Sequence, residues 1–333
     1  MKPLPLRAAL IAVLLLLTPI AATAQDAIDL RSHPLTLNPD DKAQTSIGRL
    51  RWRGGFELTS EAAGFGALSD LELSADGRRL LAVSDEGRWL SATFSYDSAG
   101  NLAAMTAARM GPLHDTAGRL LSVSIKRRQD AEALARLPDG SLLVAFERAH
   151  RLRRFAAGLG GPTAAFPAPP GLAAAPTNAG IEAMVTLADG SLLAFTEGQK
   201  VPSPAAGEAF AVYLRGSDGV WRDLALRPSG LFRPTGAALL PSGDVLLLER
   251  RFTLLGGLGA RLSRIAAADL RPGALLQTSE IAELRAPLTL DNFEGVAVHQ
   301  ASDGSTRITL ISDDNLSPWQ RSLVVQFELL PRN

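Results

Sequence analysis

The chain has 333 residues, no cysteine, and 34 basic against 34 acidic side chains. That balance leaves no broad basic field and excludes a nucleic-acid partner. The missing cysteines exclude a disulfide-stapled scaffold, so core packing or ring closure must hold the fold. At the start, residues 1–24 predict a Sec-type signal peptide. Lys2 and Arg7 give a basic opening, residues 8–17 form an unbroken apolar run, and Ala22-Thr23-Ala24 is a small-residue cleavage site. The run is too short for a membrane span, which takes about 20 residues. No cysteine stands near the cleavage site to carry a lipid. No later segment is long and apolar enough to span, so no stable membrane span is expected after cleavage. The expected location is the periplasm or outside the cell.

Residues 25–46 are polar, contain Pro34 and Pro39, and read as a leader. Residues 47–58 predict a strand, with Gly54-Gly55 marking a bulge or bend. From residue 67 one pattern returns five times: an apolar strand, a polar-Gly turn, a second apolar strand, then an acid. The turns are Asp76-Gly77, Asp139-Gly140, Asp189-Gly190, Ser242-Gly243 and Asp303-Gly304. A polar-Gly pair between apolar runs is a hairpin signal, and the expected turn is type I′. Repeats begin 63, 50, 53 and 59 residues apart, a spacing characteristic of β-propellers.

Each repeat has room for four strands; in the third these are expected at 181–187, 192–196, 210–215 and 220–226. The last repeat supplies three, at 295–298, 308–311 and 323–329, and the orphan strand 47–58 would complete it and close the ring. The fold expected is all-β, a single propeller of five four-stranded antiparallel blades over residues 47–333. Six blades is the alternative, with a degenerate blade between Arg88 and Asp130. Residues 158–180, rich in Ala, Pro and Gly, read as a surface excursion.

Propeller geometry locates the chemistry. If the first strand of each blade descends the channel, the turn lies at the bottom and the second strand returns to the top. The residue opening the first strand then meets the residue ending the second. One column is Ser69, Glu132, Glu182, Thr235 and Glu294; the other is Asp85, Glu147, Glu197, Glu249 and Asp313. Carboxylates this dense must bind cations, shift their pKa values upward, or bond to backbone amides. A hard cation, Ca²⁺, suits an all-oxygen donor set. The expected metal ligands are Glu182, Glu294, Asp313, Asp85 and Glu197. Glu132 or Glu147 is the expected general base, with Arg148 and Arg250 orienting an anionic group. Each has a plainer reading: acids that tie strand ends together, and arginines that pair with their own acids. His150 is the better-placed acid/base candidate of the two late histidines, and His299 is expected near the bottom rim. No Gly-x-Ser-x-Gly elbow, His-Glu-x-x-His or Walker-type loop is present.

Two segments carry a family resemblance: residues 67–71 with 82–87, and Asn292-Phe293-Glu294-Gly295-Val296 with Ile311-Ser312-Asp313-Asp314-Asn315. They resemble the phytase-like bacterial secreted proteins labelled "esterase-like activity of phytase", over roughly residues 50–329. The resemblance implies a propeller, export, and esterase or phosphoesterase activity. A calcium-dependent propeller phytase would need several lysines and arginines around the phosphate, together with calcium carboxylates. Only Lys42, Lys126 and Lys200 follow the signal segment, a poor match to phytate. The leading expectation is an exported ester or phosphoester hydrolase with a Ca²⁺ site at the channel mouth, acting on a small anionic substrate. The rival is a non-catalytic ligand- or protein-binding propeller of the cell envelope. A third reading makes two rim carboxylates the acid/base pair of a glycosidase.

Overall fold

The computed structural model describes residues 26–121, 125–156, 158–254 and 256–331. The expected signal peptide, 1–24, lies outside the described residues. The chain opens with β1 (Asp26–Ala27), β2 (Arg31–Pro34), β3 (Ser46–Ile47) and the longer β4 (Leu50–Thr59). Blade one is β5 (Leu68–Leu73), β6 (Arg79–Ser84), β7 (Arg88–Tyr96) and β8 (Leu102–Pro112). A one-turn helix, α1 (Lys126–Gln129), leads into blade two: β9 (Ala131–Arg136), β10 (Leu142–Phe146), β11 (Arg151–Phe155) and β12 (Thr163–Phe166). Blade three is β13 (Ile181–Thr186), β14 (Leu192–Ser203), β15 (Gly207–Arg215) and β16 (Trp221–Leu226). Blade four is β17 (Arg233–Leu239), β18 (Val245–Thr253), β19 (Gly257–Ile265) and, after β20 (Leu275–Leu276) has joined blade three, β21 (Ser279–Arg285). Blade five is β22 (Phe293–Gln300), β23 (Thr306–Ser312) and β24 (Ser322–Leu329), completed by β4.

These sheets make a five-bladed β-propeller. Its innermost strands, β5, β9, β13, β17 and β22, stand side by side around the channel. The ring closes as the sequence predicts: β24 pairs antiparallel with β4, Val324 opposite Phe56. The interval once open to a sixth blade holds β7, β8 and α1 instead. Residues 26–46 of the polar segment belong to the ring's edge. Its β1 pairs with β8 of blade one and its β2 with β4 of blade five, so it straps two neighbouring blades and covers both outer edges. The stretch 158–180 contributes β12, the fourth strand of blade two, as well as a turn of 3-10 helix.

The turns differ from the type I′ expectation. At Gly140, Gly190, Gly243 and Gly304 the loop has three residues. The glycine N–H bonds back three residues, and φ lies between 78° and 86°. That is the bulged three-residue hairpin, in which the glycine supplies the left-handed step.

Both faces of each sheet are buried against neighbouring blades. Val83, Trp89, Leu142 and Val144 fill the space between blades one and two. Ala133, Leu143, Ala194 and Ala211 lie between two and three, and Phe195, Val212, Val245 and Leu247 between three and four. Leu246, Leu262, Phe293 and Leu310 join four to five; Phe56, Val324, Leu68 and Leu80 join five to one. These apolar interfaces replace disulfides as the source of stability.

Candidate active site

Every blade repeats one local device at the top of the channel. Between the first and second strands the register slips by one residue. The extra residue is Ser69, Glu132, Glu182, Thr235 or Glu294. A bulge re-aims the side chain it adds. The first column therefore consists of five bulge residues. Ser69 and Thr235 spend their hydroxyls on backbone carbonyls, Thr235 on Phe293 at 3.2 Å. The three glutamates act on one another electrostatically across the mouth.

In the second column the N–H groups of Asp85, Glu147, Glu197 and Asp313 bond to the carbonyls of Ala67, Asp130, Gly180 and Asn292, the residues just before the first strands. Blade four departs from the column expected from the repeats. Pro234 pairs with Glu249, as Ile181 pairs with Thr196, so the position of the acids is taken by Arg250. A one-residue offset in a strand reverses the side chain. Glu249 accordingly points into the blade. It is buried and accepts bonds from Arg261 at 2.8 and 3.1 Å and from Ser263 at 2.8 Å. It is structural and no part of the rim.

On one side of the mouth, carboxylate oxygens of Asp85, Asp130 and Glu132 lie within 4.8 Å of one another. Asp130, immediately before β9, is the residue that sequence reasoning passed over. The Lys126 ammonium sits against this group, 2.6 Å from Asp85 Oδ2 and 3.1 Å from Asp130 Oδ1. Arg148, with a left-handed φ of 55°, reaches Asp130 Oδ2 at 2.6 Å. Asp85 Oδ1 is buried without a hydrogen-bond partner among the described residues. Glu147 accepts the Gly180 N–H at 3.1 Å and hydrogen-bonds Glu182.

On the opposite side Arg250 is shared. It lies 3.4 Å from Glu197 and 3.6 Å from Glu294, and donates to Asn292 Oδ1 at 2.5 Å. Asn292 in turn donates to Glu294 at 2.8 Å. Asp313 caps its own loop through the Asn315 N–H at 2.6 Å. Asp314 serves structure, accepting from Ala67, Leu316 and Ser322.

Burial and mutual repulsion raise these acids. Burial pushes Glu132 well above the carboxylate range, and Glu294, Asp130 and Asp85 add to it. Burial does the same for Glu182, with help from Glu132, Glu147, Glu197 and Glu294. Asp313 rises to about 9, first by burial and then through Glu294 and Asp85. Glu294 rises only to about 7, because Arg250 opposes its burial. Asp85 and Glu147 are also raised by burial. The mouth is thus a proton-holding carboxylate basin with one group poised near neutrality. His299 lies at the bottom rim against the Gly77 turn, as expected, and burial lowers its pKa to about 4. His150 Nε2 lies 3.0 Å from the Pro176 carbonyl.

The family model described as "Phytase-like: Esterase-like activity of phytase" matches residues 63–316. Among solved structures, a gluconolactonase from Xanthomonas campestris is 14% identical, with 93% of this chain and 98% of that chain covered and a TM-score of 0.44. Virginiamycin B lyase from Staphylococcus aureus is 10% identical, with 91% and 100% covered and a TM-score of 0.41. No curated protein matches the chain.

Proposed function

The chain belongs to the phytase-like family, and on that premise we propose that it is an exported, metal-dependent hydrolase of an ester or phosphoester, working at the carboxylate mouth. The observation that carries this reading is the convergence of Asp85, Asp130 and Glu132 within 4.8 Å, at a mouth where the surrounding acids are held partly protonated.

The donor chemistry fits a hard divalent cation. The three residues offer only carboxylate oxygens, and Asp85 Oδ1 is buried with no hydrogen-bond donor facing it among the described residues. Ca²⁺ takes six to eight oxygens, which leaves room for water and substrate. Bound there, the ion would polarise the substrate oxygen and acidify a water. Glu294 supports the role of general base, since its pKa of about 7 matches the working pH of such a group. Glu182 and Glu147, joined by a hydrogen bond, hold a proton that can pass to the leaving alkoxide. Arg250, steadied by Glu197, Glu294 and Asn292, orients the anion that develops. Glu132, expected from sequence as a base, serves in this reading with the metal group. Arg148 positions Asp130.

Lys126 makes a testable complication. Its ammonium already neutralises Asp85 and Asp130, so a divalent ion must compete with a tethered cation. Lys126→Met is expected to tighten Ca²⁺ binding about tenfold by removing that competitor. Isothermal calorimetry checks this; equal or weaker binding would show that Lys126 is no rival for the site.

The reading itself is tested by assaying aryl esters and aryl phosphates with Ca²⁺ and after chelation. Turnover that chelation abolishes supports it. Metal-independent turnover, or none on any substrate, refutes it.

A further inference from the structure

The large apolar side chains exposed on this protein are not scattered. Leu231, Phe252, Leu254, Leu316 and Trp319 are all exposed, Leu254 at 95% and Trp319 at 91%. Leu231 precedes the descending strand β17, Phe252 and Leu254 sit on the β18–β19 hairpin, and Leu316 and Trp319 lie between β23 and β24. Every one of these connections is at the top of the propeller, on blades four and five. Leu120 and Ile125, in the top connection from blade one to blade two, extend the pattern. Of the exposed large hydrophobics among the described residues, Val220 alone is at the bottom, in the β15–β16 turn. A patch of this kind on one face marks a binding surface.

The chain leads directly from the carboxylate mouth to these side chains. Phe252 follows Arg250 by two residues on β18, and Leu316 and Trp319 belong to the loop that Asp313 opens. The charges around the mouth argue against a polyanion. Lys126, Arg148 and Arg250 are each bound to carboxylates, and Lys200 and Arg233 lie over the ring of Phe210. Resting on the hydrolase reading above, we propose that the substrate is a neutral ester with an apolar acyl arm. The arm lies across Phe252, Leu254 and Trp319 while the ester group enters the carboxylate mouth.

The test measures kcat/KM with Ca²⁺ on p-nitrophenyl acetate and octanoate, for the wild type and for F252A/L254A/W319A. The substituted side chains are exposed, so the variant retains its fold. The octanoate is expected to be preferred at least ~10-fold, and the triple variant to lose that preference with acetate turnover unchanged. Turnover without chain-length preference would overturn this inference and leave the hydrolase reading intact. Should no ester turn over, calorimetry with N-methyloctanamide and N-methylacetamide decides the two apart. Tighter octanoyl binding that the triple variant loses would sustain the apolar platform while the hydrolase reading fails; equal binding would end both. Wild-type binding to dioleoylphosphatidylcholine vesicles, lost in the variant and without chain-length preference in solution, would assign the patch to a membrane surface instead.

Discussion

Glu294→Gln is expected to lower ester turnover at pH 7 by about 10²–10⁴-fold, the range for removing a general base. The side chain sits on the β22 bulge at the channel mouth, accepts a bond from Asn292 at 2.8 Å, and lies 3.6 Å from Arg250. Burial raises its pKa and Arg250 restrains the rise, leaving it at about 7. A base works in its ionised form, so wild-type kcat/KM should climb with pH through about 7. Glutamine keeps the acceptor oxygen and the volume but takes no proton. The residual activity of the variant should therefore lose that limb of the profile. A variant with wild-type kcat and an unchanged pH profile would remove Glu294 from the chemistry.

Thermal stability should fall as pH rises from about 5 to 9, the reverse of the behaviour of paired surface carboxylates. For Glu294 the folded pKa of about 7 stands above the unfolded value of 4.5. Between those values the native state holds more protons than the unfolded chain, so raising the pH costs native stability. The full penalty for this group, present above about pH 7, is on the order of 3 kcal/mol. Asp313, raised to about 9, carries the decline further. Because these acids act on one another, the observed steps belong to the group as a whole. Glu182→Gln removes a buried acid that feels four neighbouring carboxylates. It should raise the melting temperature at pH 8 and flatten the slope. Calorimetric scans at pH 5, 7 and 9 decide this; a melting temperature that rises with pH would refute the account of the mouth.

Much of this arrangement is legible in the chain itself. The period and the polar-Gly turns, repeated in every blade, with the orphan strand at 47–58 to close the ring, point to five blades and leave six open only in the interval between Arg88 and Asp130. The first column is legible too, since Glu182 and Glu294 interrupt otherwise apolar strands. The failures are of register. The acids Glu147 and Glu197 each stand seven residues past their turn glycine, and in blade four the seventh residue past Gly243 is Arg250. Matching Glu249 by residue type instead of by that spacing put a buried structural acid on the rim. Asp130 was missed because it lies one residue before its strand, where an alternating pattern gives no signal. Only the folded chain brings it beside Asp85, from a different blade. Lys126 is hidden for the same reason: its role depends on α1 returning over blade one.

The most direct test of a metal-binding mouth is the melting temperature at pH 8 in EDTA and across a Ca²⁺ titration, for the wild type and Asp130→Asn. A cation that binds only the folded chain stabilises it by mass action and discharges the repulsion among the acids. The wild type should gain roughly 5 °C at saturation, and Asp130→Asn should lose most of that gain. Identical melting in EDTA and in saturating Ca²⁺ would contradict the metal site and, with it, the proposed mechanism.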